Sequence, residues 1–423
     1  MDINQIIIIL SLIFTLICWV TGIIKKNYAS IFLLLIFSIF GRTPLERIFA
    51  FPLSSNFLLI VFSFVFSQGI ANSKLTEKLF EPFISKYTRN YHQVLYSMLV
   101  IATILVFIIP QPYSRVIILS FMYYEYFTSI NLRKDTKEVF MFAIFAFSLL
   151  AQMLTKRGDI VLNNGLLAVA GVSLTEFGWM KYLTIPGIFM AILAVFLFSI
   201  AFRKELVEFE PGEIRKEKIN LTKDDKINLS LILIVVFLWA TESIHNISGT
   251  LVVIIGTILM YFRKLVDKKD LKSINVELLL FITAAFSIGS VMTGSGVANI
   301  VFGKFTGLFP SKFSNIYILI MIITTMALHM ILGSNVTTIS VVVPGLMTIS
   351  QGLVDTNILM FVVYLSVFSH YILPFHNILL AIGEGNGYYT SKTVSRFGIY
   401  LTVLVFISIF FMFIPWWKLL GLI

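Results

Sequence analysis

Apolar runs of membrane-spanning length recur from one end of this chain to the other, beginning with Asn4–Ile24 and closing with Gly398–Trp417. In lipid, a backbone group freed from a helix finds no water, so irregular chain is tolerated only where protein or a wet cavity meets it. The fold class that follows is an all-α polytopic membrane protein. Of 423 residues, 58% are hydrophobic and 13% charged, with mean hydropathy +0.93; soluble domains average about 25% charged. The net charge of +10 concentrates between the apolar runs, as the positive-inside rule requires. It therefore points to lipid headgroups and not to nucleic acid. Cys18 is the only cysteine, which excludes an internal disulfide and a cysteine-based metal cluster. The first run lacks a basic leader and a small-residue cleavage site, so it reads as a retained helix.

The most informative stretch is Ala327–Gly345 (ALHMILGSNVTTISVVVPG), apolar on both flanks and broken at Gly333–Thr338. It reads either as a hairpin tip carrying a ligand site or as a loop between two spans capped by Ser and Thr. A similar pair, Val94–Ile109 and Val116–Ile130, is joined by Pro110–Arg115. At about 24 Å per arm it falls short of the about 30 Å hydrocarbon core. Lys86 and Arg89 before the pair, and Arg133, Lys134 and Lys137 after it, want the same side. A re-entrant hairpin satisfies this, and two full spans with a tight turn do so as well. Ser73–Asn90 has the pattern of an amphipathic surface helix, and Gly296–Phe309 is a weaker second one. Val139–Val172 is interrupted at Thr155–Gly165, and Phe361–Leu373 breaks at Pro374–Asn377. The hydrophilic segment 203–228 has mixed charge and reads as a cytoplasmic linker.

The two sides of that linker repeat one pattern. Pro110–Phe121 aligns with Gly333–Pro344, and Asn163–Gly171 with His376–Glu384, placing Asn164 opposite Asn377. The expected organisation is a first repeat, 1–202, with hairpin 94–130 and broken helix 139–172. The linker 203–228 follows, then a second repeat, 229–423, with hairpin 316–350 and broken helix 361–385. Each half contributes five spans, one hairpin and one surface helix. Five is odd, so the second half is inverted and both termini lie outside. Inverted repeats with broken helices meeting near the midplane mark secondary transporters.

Ser334-Asn335-Val336, followed by Thr337-Thr338 and Pro344, together with Pro374-Phe375-His376-Asn377 and Gly289–Gly303, resembles the divalent-anion/sodium symporters. These are the sodium/dicarboxylate and sodium/sulfate symporters of the ion-transporter superfamily, and the chain is similar to a divergent member. The resemblance covers nearly the whole length. It implies an elevator-type homodimer in the plasma membrane, with a dimerising scaffold and a transport domain carrying both hairpins and both broken helices. Substrate, a di- or tricarboxylate or sulfate, would sit between the tips with sodium at each tip. The sodium ligands carried over are Ser334, Asn335, Thr338 and Pro374. No cofactor and no enzymatic activity are implied. The first tip departs, reading Gln111-Pro112-Tyr113-Ser114-Arg115 where the family has Ser-Asn-Thr, and Leu162-Asn163-Asn164 stands where Thr-Pro-Pro-Asn is expected.

The chemistry can be argued separately. An anion in a dry site needs donors, and helix N-termini supply them. Ser114, Ser334 and Thr337 offer hydroxyls, and Asn164, Asn335 and Asn377 offer amides. An arginine at bilayer depth is a functional candidate by default. Arg115 either grips an anion or stands in for the cation of the first site; the structural alternative is snorkelling or pairing with Glu125. His376 either meets substrate or titrates near neutral pH, against the commoner case of a helix-end histidine bonded to backbone. A channel filter and a His-Glu-x-x-His centre are both absent from the sequence. The alternatives carried forward are proton-coupled or exchange transport of another small anion or amino acid, and an accessory subunit that no longer transports.

Overall fold

The computed structural model describes residues 1–21, 23–75, 78–79, 89–109, 111–210, 221–350 and 352–423. Among them there is no strand. The first half contains α1 (Ile3–Thr21), α2 (Lys26–Phe40), α3 (Ser55–Ser73), α4 (Tyr91–Ile108), α5 (Pro112–Ser129), α6 (Lys134–Gln152), α7 (Ile160–Ala170) and α8 (Glu176–Ala201). The second contains α9 (Lys223–Ala240), α10 (Gly249–Phe262), α11 (Val276–Gly294), α12 (Asn315–Leu332), α13 (Asn335–Ser350), α14 (Thr356–Phe368), α15 (Ile378–Gly385) and α16 (Ser391–Ser408). A π turn extends α16 to a last helical segment ending at Leu419. Several of these helices are long and apolar enough to cross a membrane.

Local chemistry sets the starts. Asn90 accepts a hydrogen bond from the Gln93 N–H to open α4, and Ser314 accepts one from Tyr317 to open α12; each satisfies one of the N–H groups a helix start leaves unpaired. Apolar distribution sets the layers. A helix apolar all round belongs inside, and α6 from Val139 and α14 from Ile358 are buried on every face. The α8 helix instead exposes Ile185, Phe189, Ile192 and Phe196, as a lipid-facing helix does. The two innermost helices, α6 and α14, are the ones that end in breaks. The irregular backbone is therefore enclosed in protein, the condition under which a bilayer tolerates it.

Four ion pairs gather at the flanks of the 203–228 segment: Lys78–Asp225 at 2.7 Å, Arg133–Glu208 at 2.6 Å, Arg263–Asp224 at 2.7 Å and Arg396–Glu205 at 2.6 Å. Lys78 precedes α4 and Arg133 follows α5, so both ends of that helix pair return to one hydrophilic segment. The Lys78 ammonium, bonded to both oxygens, and the capping bonds of Thr222 hold the Asp225 carboxyl down to about 2.

The elements differ from the sequence expectations in definite ways. The α4 and α5 arms have 18 residues each, about 27 Å at about 1.5 Å per residue. The break after α6 covers Met153–Asp159, and α7 begins at Ile160 because Asp159 caps it, accepting from the Leu162 N–H at 3.0 Å. Asn163 and Asn164 are thus helical residues. At the second hairpin only Gly333 and Ser334 lie outside helix. Gly333 takes the left-handed conformation, φ 61°, that ends α12, and α13 resumes at Asn335. Gly296–Phe309 forms a short helix and a 3-10 turn, and Phe302 packs its ring on the bare Cα of Gly345 in α13. The Ser73–Asn90 surface helix lies largely outside the described residues.

Candidate functional site

Each hairpin tip abuts one of the two breaks. At the first, Arg115 stands in the opening turn of α5 and is 1% exposed. Its Nη1 donates to the Ile109 carbonyl at 2.5 Å, at the end of α4, and its Nη2 donates to the Gly158 carbonyl in the break. One guanidinium thus ties tip to break through two carbonyls that helix geometry leaves without partners. Asp159 lies within electrostatic reach. The backbone of Ser114 falls in the same turn; its side chain, like that of Glu125, is outside the described residues.

At the second tip the Ser334 carbonyl accepts from both the N–H (2.9 Å) and the hydroxyl (2.8 Å) of Thr338. Thr337 is buried and, among the described residues, its hydroxyl has no partner. Asn335, buried at the start of α13, reaches the ring of His329 in α12. His329 Nδ1 lies 3.4 Å from His370 Nδ1, and the rings of His329, His370 and His376 are 5.1–6.2 Å apart. His376 Nδ1 accepts from the Ile372 N–H at 3.2 Å. Pro374 opens the 3-10 turn of this break, and Asn377 caps α15 by accepting from the Leu379 N–H at 2.9 Å. Ser334, Asn335, Thr337, His376 and Asn377 therefore share one tip-and-break junction, with Thr338 and Pro374 beside them. Arg115 belongs to the other junction.

Asn164 belongs to neither. It donates Nδ2 to the Ile160 carbonyl at 2.8 Å and borders two cavities. One, of about 300 Å³, lies between the first break and the ends of α3, α9 and α10; Lys156, Arg157 and Glu176 line it. The other, of about 620 Å³, lies between α7, α11 and α13, with Arg47, Phe51, Phe286 and Thr348 on its walls. Gly165 is bare at this point because any Cβ there would strike the ring of Phe286.

Three residues that sequence reasoning passed over belong to these places: Arg157, His329 and His370. The signal for His329 and His370 was available, since an ionisable side chain inside an apolar run is a functional candidate; Arg157 stands in the polar interruption Thr155–Gly165. His329 stood in the stretch Ala327–Gly345, overshadowed by the Ser, Asn and Thr beside it.

The arrangement offers hydroxyls, amides, imidazoles and carbonyls within a helical bundle with an apolar exterior. No curated protein sequence matches the chain. The profile of the sodium:sulfate symporter transmembrane region does, over residues 1–423. That family couples anion movement to sodium and is one of transporters, not enzymes. Full-length agreement with its profile and an apolar helical bundle with interrupted helices lead to one conclusion: this chain belongs to the sodium:sulfate symporter family.

Proposed function

We propose that the protein is a secondary active transporter that carries a small anion, a di- or tricarboxylate or sulfate, together with a cation. It does so by an elevator movement, as a homodimer in the plasma membrane. The observation that carries the reading is the meeting of a hairpin tip with a helix break in each half. Such junctions gather unpaired backbone groups at a place enclosed by protein, the arrangement that inverted-repeat transporters use at their binding sites.

The two junctions differ in charge. In the first, the Arg115 guanidinium occupies the Ile109 and Gly158 carbonyls, oxygens of the kind a hard cation takes. A guanidinium stays charged at any accessible pH, and a sodium ion beside it would be repelled by several kcal/mol at low effective dielectric. The first cation site is thus replaced by the protein's own charge. Sodium is left with the second tip, where the Ser334 carbonyl, the Thr338 hydroxyl, the Asn335 amide and the Pro374 carbonyl are its ligands. The test is the sodium dependence of sulfate and succinate uptake in proteoliposomes. A Hill coefficient near one is expected; a coefficient clearly above one, with two sodium ions bound per protomer, overturns the reading of Arg115.

Proton coupling has one specific observation in its favour. Three of the chain's five histidines meet at the second junction, and Asp355 is the only charged side chain between Asn315 and Gly383. Uptake driven by an inward proton gradient in sodium-free buffer would select this reading over sodium symport.

A further inference from the structure

The side of the molecule that carries segment 203–228 holds its cations in two ways. Lys78, Arg133 and Arg396 are paired with carboxylates at the flanks of that segment, and Lys137 donates to Thr128 and lies over the Tyr124 ring. Lys223 and Lys226 in the first turn of α9, and Lys264, Lys268, Lys269 and Lys272 after α10, are exposed and, among the described residues, form no ion pair. These two groups of lysines belong to one face. Arg263 joins them, donating Nε to the Asn228 side chain at 3.1 Å and Nη2 to Asp224 at 2.7 Å.

The loop after α10 is a fixed platform. Lys264 turns the chain with a left-handed backbone, φ 56°. Val266 is buried against Gly69 of α3, where a Cβ would strike it. Asn72, near the end of α3, donates Nδ2 to the Leu265 carbonyl at 2.9 Å and to Asp270 at 3.3 Å. The two carboxylates of the loop are engaged by backbone amides: Asp267 accepts from the Lys269 N–H at 2.6 Å, and Asp270 from the Asp267 N–H at 2.8 Å. Beside the lysines, Tyr261 and Phe262 at the end of α10, Leu271 in the loop and Val276 at the start of α11 are exposed. Aromatic and aliphatic side chains at a helix end, followed at once by lysines, are the pattern of a membrane–water interface. A soluble anion would use the ammonium groups and leave the apolar collar idle; a phospholipid uses both.

We propose that the start of α9, the end of α10 and the loop Lys264–Lys272 form a docking surface for an anionic phospholipid of the leaflet on that side. Its phosphate lies among Lys264, Lys268, Lys269 and Lys272, and its chains run along Tyr261, Phe262 and Leu271. Lysines clustered at the end of a spanning helix attract anionic headgroups, and salt weakens the attraction. The loop is already held by Asn72 and its own carboxylates, so little order is lost when a headgroup arrives. The surface lies at the opposite end of α9 from Val236 and Trp239, which meet Arg157 of the first break. A lipid there anchors α3, α9 and α10, which carry neither hairpin nor break, and touches neither junction. The proposal goes beyond the transport reading and stands without it.

The test uses the full-length protein in detergent, with phosphatidylglycerol, phosphatidylcholine and inorganic phosphate as probes. At low salt, phosphatidylglycerol should raise the melting temperature by several degrees, and phosphatidylcholine and phosphate should not; high salt should remove the rise. The variant K264Q/K268Q/K269Q/K272Q should lose most of it. K304Q/K312Q/K392Q/K418Q, which removes as many exposed lysines elsewhere, should keep it. No rise with phosphatidylglycerol, an equal rise with phosphatidylcholine, or a full rise in the first variant overturns the proposal. An equal rise with phosphate marks a soluble-anion site and overturns it too, as does an equal loss in both variants, which marks unspecific attraction. A second measurement does not depend on either variant folding. L271C in a C18A background, labelled with a small fluorophore and reconstituted, should be quenched several-fold more by spin-labelled phosphatidylglycerol than by spin-labelled phosphatidylcholine. Equal quenching by the two lipids overturns the docking surface.

Discussion

Arg115 shows how much a buried residue's partners decide its meaning. Its charge is satisfied by Ile109 and Gly158, so removing it leaves two carbonyls of the interior without donors. Hydrogen bonds to charged groups contribute about 1.5–3 kcal/mol each. R115A should therefore lose about 3–6 kcal/mol of stability on the same scale, seen as a lower melting temperature in detergent. It should also lose anion binding, with added sodium giving no rescue; sodium-restored binding would show that the guanidinium does not stand in for a cation. N335A should behave differently. It removes an amide at the first position of α13 with little change in packing, so the protein should fold and fail to transport, and wild-type uptake would show that the tip is not the site. Composition at helix breaks made Arg115, Asn335 and Asn377 legible in the sequence. Their partners were not legible, because a guanidinium bonded to carbonyls, like that of Arg115, and one paired with a carboxylate, like that of Arg157, have the same letter.

The elements were easier to read than their ends. Apolar runs located the helices, since burial or lipid contact needs only length and hydropathy. The breaks came out displaced. Asn335–Thr338 look like loop residues, yet Thr338 closes its hydroxyl on the Ser334 carbonyl and the helix begins there. In the first break the cap is Asp159, four residues before Asn163. Gly158 makes that break possible, because a Cβ on it would collide with the Gln152 carbonyl. G158A should shift the segment that Arg115 holds, lower the melting temperature and abolish uptake; unchanged melting and uptake would mean that the break can give. The ion pairs from Lys78 and Arg133 to the two ends of one segment predict that cysteines at 78 and 133 are labelled from the same side of the membrane. Labelling from opposite sides would contradict the hairpin.

For the whole molecule, the ion-pair belt and the tip-and-break junctions should respond differently to pH. The ordinary value for the Asp225 carboxyl is 3.8, and Lys78 holds it at about 2. A carboxyl lowered on folding adds stability that is complete above its ordinary value and is lost as pH falls through the lowered one. The drop in melting temperature caused by D225N should therefore be equal at pH 5 and pH 8, and a difference would assign the belt a role in titration. Any change in uptake across that interval must come from elsewhere in the molecule. The proposed homodimer should appear as twice the 48.0 kDa chain mass in light scattering of the detergent complex. The single guanidinium that joins α5 to the first break has a mechanical meaning as well. Parting those elements would strand a buried charge, at a cost of about 3–5 kcal/mol. The second junction is held by imidazoles, hydroxyls and an amide, so parting it strands no such fixed charge. In mechanical terms the first half is riveted and the second is latched, so parting the second junction costs less than parting the first.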